Sequence, residues 1–364
     1  MKILLLGPGS VVHIQRWANG LSDEGLDVVC ASQHEFLPTG WSPKVKCIRL
    51  SIHHAAGYVF NAPELARLFK EERCDLLNAH YATGYGTMAT LSRVRRRMIS
   101  VWGSDIYEFP HKSFLHAGLV RWVLSTAQGI GSTSLDMAQQ VRLVMGNAWK
   151  GSIDITPFGV EMDRFVPSSL AHTQPSPSSP LVIGTVKTLA PKYGIDILLK
   201  GFAQLLENLP DECADHVTLR IVGGGHQEAE LKSFSRSLGI KDKVEFVGKV
   251  AHADVPHWLQ TLDVFVAVSR QESFGVAVIE ASACELPVVV SRVGGLPEVV
   301  DDQSTGFIIA ADDPQQLALA LQKLVADAGL RQQMGQAGRA KVQTEYEWRH
   351  CVRLMVKAYQ RLMA

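Results

Sequence analysis

The sequence predicts an α/β protein made of two doubly wound, Rossmann-like domains that face each other across a cleft. Three observations lead there. The chain has 364 residues, 46% of them apolar and 20% charged, which is too long for one ordinary core and comfortable for two folded domains. Short apolar runs alternate with amphipathic stretches, the rhythm of parallel strands joined by helices. That rhythm stops at the Ser/Pro-rich segment 167–180 and then begins again.

In the first half, Lys2–Leu6 reads as a buried strand that breaks at Gly7-Pro8-Gly9, too short for a signal peptide. A helix follows over about His13–Glu24, then a strand at Asp27–Ala31. Next come a strand at Cys74–Ala79, a helix at Gly84–Ser92, a strand at Arg97–Trp102 and a helix near Leu115–Ala127. After the break, Leu181–Val186 is a strand, Ile195–Asn208 a helix, Val217–Val222 a strand and Gln227–Leu238 a helix. Strands at Val244–Val247, Val264–Val268 and Pro287–Ser291 follow, and a helical pattern over about Trp348–Met363 closes the chain. The domains expected are residues 1–166 and 181–345, with 167–180 as linker and 346–364 as a helix returning to the first domain. In sheets of this kind ligands sit at the carboxyl ends of the strands.

Charge and cysteines narrow the function. Thirty-six basic side chains balance 36 acidic ones, so binding to nucleic acid through bulk charge is disfavoured. No apolar stretch approaches the roughly 20 residues that span a bilayer. Six scattered cysteines argue against a zinc site or a redox pair and suit a reducing cytosol.

The densest chemistry lies in the stretch from Ser269 to Glu280. An apolar strand runs into a polar turn and then into a helix expected to begin near Ser273. The N–H groups of Phe274, Gly275 and Val276 would then form a positive helix end suited to phosphate. Glu272 stands before that helix and Glu280 within it, with backbones about 12 Å apart at 1.5 Å per helical residue. That is wide for a glycosidase pair and suits the two ends of one long ligand. On the loop after the first strand of the second domain, Lys187 and Lys192 can converge on a diphosphate leaving group. Val222-Gly223-Gly224-Gly225 is either a phosphate-facing turn or a tight connection. No D-x-D motif and no His/Asp/Glu grouping at metal-ligand spacing occurs, so a reaction without metal or other cofactor is expected.

The E-x7-E spacing, the Glu272-Ser273-Phe274-Gly275 run, the Leu286–Ser291 strand, Gly294-Gly295-Leu296-Pro297-Glu298 and Thr305-Gly306-Phe307 together resemble the donor-binding region of retaining GT-B glycosyltransferases of family 4. The likeness covers most of the second domain and, more weakly, the first. It implies that Glu280 binds ribose hydroxyls, that Glu272 approaches the donor hexose, and that Gly248 and Val250 lie where the backbone reads the nucleobase. It implies transfer of a hexosyl group from a UDP- or GDP-sugar to a hydroxyl of a glycan or polyprenyl- or other lipid-linked acceptor, in the setting of bacterial cell-surface polysaccharide synthesis. Two departures stand out in this domain. Lys187 occupies the place of an Arg, which replaces a bidentate phosphate contact by a point charge, and Glu285 stands where a Gly usually precedes the Leu-Pro. A nucleotide-sugar epimerase of the same fold and a non-catalytic nucleotide-sugar-binding subunit are the rival readings.

In the first domain, Gly7-Pro8-Gly9-Ser10-Val11-Val12 fails the dinucleotide fingerprint, because Val12 stands at the third glycine. It resembles the flexible glycine loop of GT-B enzymes, which makes Gly9 and Ser10 donor-side candidates. His13 either points inward or caps the next helix. His80, at a strand end, is either a core or a cleft-wall residue. Many family members carry a histidine near the donor sugar where this chain has Trp102, so that histidine's role is not transferred. Asp105 either holds a substrate hydroxyl, as a catalytic or acceptor-side group, or caps a turn. His13, His80, Trp102 and Asp105 are thus the acceptor-side candidates. Arg93, Arg95, Arg96 and Arg97 either draw the protein to acidic headgroups on the inner, cytoplasmic face of a membrane or are solvated charges at a helix end.

Overall fold

The computed structural model describes residues 1–146, 151–168 and 180–364. Within it the chain forms two compact units. One comprises Met1–Phe158 together with Trp348–Ala364; the other is Gly159–Glu347. The chain thus passes between units at Phe158, ahead of the 167–180 segment, most of which (169–179) lies outside the described residues.

The first unit is built on β1 (Lys2–Leu6), β2 (Asp27–Ser32), β3 (Lys46–Arg49), β4 (Leu76–His80), β5 (Arg97–Val101), β6 (Gly129–Ser132) and β7 (Ile153–Ile155). They lie in the order β3-β2-β1-β4-β5-β6-β7, with every pairing parallel. The central strands are buried along nearly their whole length, as expected of strands covered on both faces. The closing helix Trp348–Met363 belongs to this unit. It packs on the helix Val12–Asp23, where the Trp348 and Trp17 ring centroids are 5.0 Å apart and the Arg16 guanidinium lies 4.4 Å over Trp348. A buried polar bond also fixes it: Asn78 Nδ2 donates to the Tyr359 hydroxyl at 2.7 Å, while Ser100 Oγ donates to Asn78 Oδ1 at 3.0 Å.

The second unit holds β8 (Leu181–Val186), β9 (Val217–Val222), β10 (Val244–Gly248), β11 (Val264–Ala267), β12 (Val288–Ser291) and β13 (Gly306–Ile309), ordered β10-β9-β8-β11-β12-β13 and again all parallel. Each sheet changes direction once: between β1 and β4 in the first unit, and between β8 and β11 in the second. At such a switch point adjacent connections leave to opposite faces, and a crevice opens beyond the carboxyl ends of the strands. Residues just after β1, β4, β8 and β11 are therefore the ones to inspect.

Two sequence expectations are corrected here. Arg97 is not part of a surface cluster. It is the first residue of β5 and is buried, its guanidinium donating to the carbonyls of Val94 (2.7 Å) and Thr126 (2.5 Å). Arg93, Arg95 and Arg96 are exposed. The helix expected from Ser273 is Val276–Ala283, because Gly275 before it has φ +110°, outside any helical conformation, and Phe274 turns its ring into the core against Tyr346 at 5.5 Å.

Candidate functional site

At the switch point of the second unit, the loops after β8, β9, β11 and β12 converge. Lys187 is the first residue beyond β8 and Glu272 lies on the loop beyond β11. Lys187 Nζ donates to Glu272 Oε2 at 2.5 Å, and both side chains are 12% exposed. Desolvation pulls the Lys187 ammonium down, but Glu272, then Tyr193 and Glu280, outweigh it and its pKa is raised. Lys187 thus feels both glutamates of the E-x7-E pattern. The ring of Tyr193 lies under both lysines, 4.7 Å from Lys187 Nζ and 5.3 Å from Lys192 Nζ. Tyr193 is thus the ring that the two cations share.

Two glycines make this convergence possible. Gly223, at φ +140°, would place a Cβ 1.8 Å from the Lys187 carbonyl oxygen, and Gly294, at φ +51°, would place one 1.7 Å from the Glu272 carbonyl oxygen. Both halves of the ion pair are therefore held by a backbone that only glycine allows. Of the two readings of Gly223-Gly224-Gly225, the structure shows the tight connection: Leu189 N–H donates to the Gly224 carbonyl at 3.0 Å and Lys187 N–H to that of Val222 at 2.9 Å.

Glu280 sits in the second turn of Val276–Ala283, 5% exposed. Its Oε1 lies 3.4 Å from His252 Nε2 and has no hydrogen-bond partner among the described residues. His252 follows the Gly248–Val250 stretch and went unnoticed in the sequence, where nothing links it to a glutamate so far along the chain. Gly248 has φ +89°, and its carbonyl accepts from the Gly223 N–H at 2.9 Å; Val250 is half-buried. Arg270 is a second residue that sequence reasoning passed over. It forms a bidentate pair with Asp196 at 2.9 and 2.7 Å and reaches Asp312 at 2.7 Å. Its N–H donates to the Lys192 carbonyl at 2.8 Å, so this pair fastens the Lys192 loop to the Glu272 loop.

The first unit corrects several candidates. Asp105 is 1% exposed and spends its carboxylate on backbone: Oδ2 accepts from Ala82 N–H at 2.8 Å, Oδ1 from Gly103 N–H at 2.8 Å and Trp102 N–H at 3.2 Å. It ties the ends of β4 and β5 together, the turn-holding role of the two that the sequence allowed. Burial raises its pKa against those three bonds. His80 is fully buried beneath Trp102, ring centroids 4.8 Å apart, and neither ring nitrogen has a hydrogen-bond partner among the described residues. Desolvation lowers its pKa to about 3, so it is a neutral core residue. Trp102, 8% exposed, is packed among His80, Tyr81 and Phe158. His13 is the second residue of Val12–Asp23 and does not cap it; its ring lies 4.6 Å from Phe158 and points inward.

The glycine loop is also less free than its sequence suggested. Gly9 N–H donates to Ser32 Oγ at 2.9 Å, and a Cβ at Gly9 would strike the Phe36 ring at 2.7 Å. Ser10 is exposed beside it. The residue that emerges after β4 is Tyr81, which holds φ +76° and is half-buried. A bulky residue in that region marks a constrained position.

Comparison with known proteins places these two units. Residues 171–341 match the family model described as glycosyl transferases group 1, and residues 2–134 match the glycosyl transferase 4-like model. A D-inositol 3-phosphate glycosyltransferase of Catenulispora acidiphila is 32% identical over 247 residues, covering 66% of this chain and 56% of the relative. A GDP-mannose-dependent alpha-(1-6)-phosphatidylinositol monomannoside mannosyltransferase of Mycolicibacterium smegmatis is 31% identical over 209 residues, covering 54% and 53%. The chain spans about half the length of the curated relatives it matches. Among solved structures, the sucrose-phosphate synthase of Thermosynechococcus elongatus superposes with a TM-score of 0.81 at 21% identity, over 100% of this chain and 99% of the other. Anabaena HepE in complex with UDP gives 0.76 at 19% identity, over 99% and 100%. These likenesses establish the two-domain GT-B fold.

Proposed function

The chain belongs to the group 1 glycosyltransferases of the GT-B fold, and from that premise we propose that it transfers a hexosyl group from a UDP- or GDP-sugar with retention of configuration. The observation that carries the reading is the charged cluster at the second switch point: Lys187 bonded to Glu272, with Tyr193 beneath both Lys187 and Lys192. A nucleoside diphosphate supplies what this cluster lacks, a ligand with negative charge at its centre and hydroxyls at its ends. The diphosphate draws Lys187 from Glu272 and meets Lys192 beside it. The freed Glu272 carboxylate accepts a hexose hydroxyl, and Glu280, steadied by His252, accepts from the ribose. Charge-assisted bonds of this kind are the strong ones.

In the reaction the bond from the anomeric carbon to the diphosphate oxygen breaks, and its electron pair leaves with the phosphate. The two ammonium groups stabilise the charge that develops there, with the first N–H groups of Val276–Ala283 adding to them. The acceptor oxygen bonds to the anomeric carbon on the face the phosphate leaves, and its proton passes to that phosphate. This scheme needs no protein nucleophile and no metal ion. The acceptor is a hydroxyl of a glycan or lipid-linked glycan. Exposed Arg93, Arg95 and Arg96 would bring the protein to acidic headgroups; among the described residues no helix is long and apolar enough to cross a membrane.

The test is nucleoside diphosphate release from a panel of UDP- and GDP-sugars, alone and with glycan acceptors. Release that depends on one donor class and on acceptor, lost in Glu272→Ala and Lys192→Ala, is expected. Full activity in both variants contradicts the site. Acceptor-independent change of the sugar's configuration contradicts the transferase reading in favour of an epimerase.

A further inference from the structure

The switch point of the first unit contains a hydrogen-bond chain whose direction can be read from its donors and acceptors. Ser32, the last residue of β2, is fully buried. Its Oγ accepts the N–H of Gly9 at 2.9 Å and that of His34 at 3.0 Å. With both lone pairs used, its own proton goes to the Tyr85 hydroxyl oxygen, 3.1 Å away. The Tyr85 proton in turn goes to His34 Nδ1 at 2.6 Å. Burial lowers the His34 pKa, which favours the neutral ring. A neutral imidazole that accepts at Nδ1 carries its proton on Nε2. His34 is half-buried, and Nε2 has no partner among the described residues. It is a fixed donor with no acceptor among the described residues.

One further phenol, Tyr58, stands beside the His34–Tyr85 pair. The Tyr58 ring lies 6.4 Å from His34 and 5.4 Å from Tyr85, edge-on. Tyr58 is half-buried and more reluctant to ionise than a free phenol, chiefly through burial. At neutral pH His34, Tyr58 and Tyr85 are therefore uncharged and able to give and take hydrogen bonds.

We propose that His34 and Tyr58 form part of the acceptor subsite of the transferase, and that it takes an uncharged polyhydroxylated ring, a glycan residue. A phosphorylated cyclitol, as in the names of several relatives, would call for cationic partners, and the side chains in contact with His34 are neutral donors and acceptors. Phenols and a neutral imidazole exchange hydrogen bonds with hydroxyls without desolvating a charge, and the aromatic faces cover the apolar face of the sugar ring. This inference rests on the transferase reading, and it moves the acceptor contacts away from His80 and Asp105, which are sealed in the core.

The experiment is steady-state kinetics of the full chain with neutral p-nitrophenyl glycosides and with D-myo-inositol 3-phosphate as acceptors, on wild type, His34→Ala, His34→Gln and Tyr58→Phe. The expected result is turnover of a neutral glycoside, with the acceptor KM raised tenfold or more in His34→Ala and kcat changed less. Glutamine, whose amide restores a donor, is expected to recover part of the loss. Thermal melts establish that each variant is folded. Wild-type acceptor KM in both His34→Ala and Tyr58→Phe, or preferred turnover of the inositol phosphate, overturns the subsite. If no donor and acceptor pair releases nucleoside diphosphate, the transferase reading fails. The subsite is then read directly by saturation-transfer NMR with the same glycosides, and signal that survives unchanged in His34→Ala overturns it.

Discussion

At the carboxyl ends of β8 and β11 the chain gathers ammonium and carboxylate groups; at the carboxyl ends of β1, β2 and β4 it gathers phenols and an imidazole. The two places are topologically alike, each the single reversal in a parallel sheet that begins 3-2-1-4. Their chemistry differs because their ligands would differ. A diphosphate is a concentrated anion, and binding it requires cations that can be pulled from a standing partner, as Lys187 can be from Glu272. A sugar hydroxyl carries no charge, and fixed neutral donors recognise it at lower desolvation cost. Equivalent positions in the fold set where a site lies, and the residues there set what it holds.

The contrast can be broken most severely at Lys192. Replacing it by alanine is expected to lower kcat for nucleoside diphosphate release by about 10²–10³, the loss seen when one preorganised donor is removed from developing charge. The acceptor KM should stay near its wild-type value, and initial-rate kinetics separates the two.

A backbone change comes next. Gly294→Ala drives a Cβ into the Glu272 carbonyl at a positive φ. It should destabilise the second unit by about 1–3 kcal/mol, the range for a strained backbone position. Calorimetry should show its transition falling while that of the first unit is unmoved.

Acid should act on the other unit. His80 is neutral in the fold down to about pH 3 but gains a proton near 6.5 when unfolded. Its lowered folded pKa gives stability that is complete above pH 6.5 and is lost progressively as pH falls toward 3. The slope in that window is about 1.4 kcal/mol per pH unit. Denaturant melts of wild type and His80→Phe between pH 7 and pH 5 check this, and the variant should lack that component of the pH dependence.

The smallest effect concerns Glu285, which holds φ +60° just before Leu286-Pro287. Glu285→Gly relieves the left-handed strain but gives up unfolded-state rigidity and the 3.8 Å contact to Arg339. A net gain of about 0.5 kcal/mol is expected, read as a small rise in melting temperature.

Which features were legible in the sequence follows from how local they are. The bounds of β8 and β9 and of the helices Ile195–Asn208 and Trp348–Met363 coincide with their sequence patterns, since each is a strong apolar periodicity with clear ends. The strand Lys46–Arg49 escaped because it is an edge strand with mostly exposed side chains, so no apolar pattern marks it. The lysines and glutamates of the second unit were legible as a set, being held within two segments. Their pairing was not, because Lys187 meets Glu272 across 85 residues of chain. Helix start at Val276, three residues late, turns on the conformation of Gly275 and the inward ring of Phe274. The Ser32–Tyr85–His34 chain joins residues 53 and 51 positions apart and has no motif at all. The sequence left His80 open between core and cleft wall and Asp105 between a substrate group and a turn cap, because both stand at strand ends; the burial that decides comes from Trp102 and the backbone around it.

Calorimetric titration of UDP and GDP into wild type, Lys192→Ala and His34→Ala tests the division between charged and uncharged sites most directly. One of the two nucleotides should bind wild type with an affinity that falls as salt is raised. Lys192→Ala should weaken it about tenfold or more, as loss of a charge-assisted phosphate contact would, and His34→Ala should leave it within error of wild type. Equal nucleotide affinity in wild type and Lys192→Ala, or loss of affinity in His34→Ala alone, would contradict it.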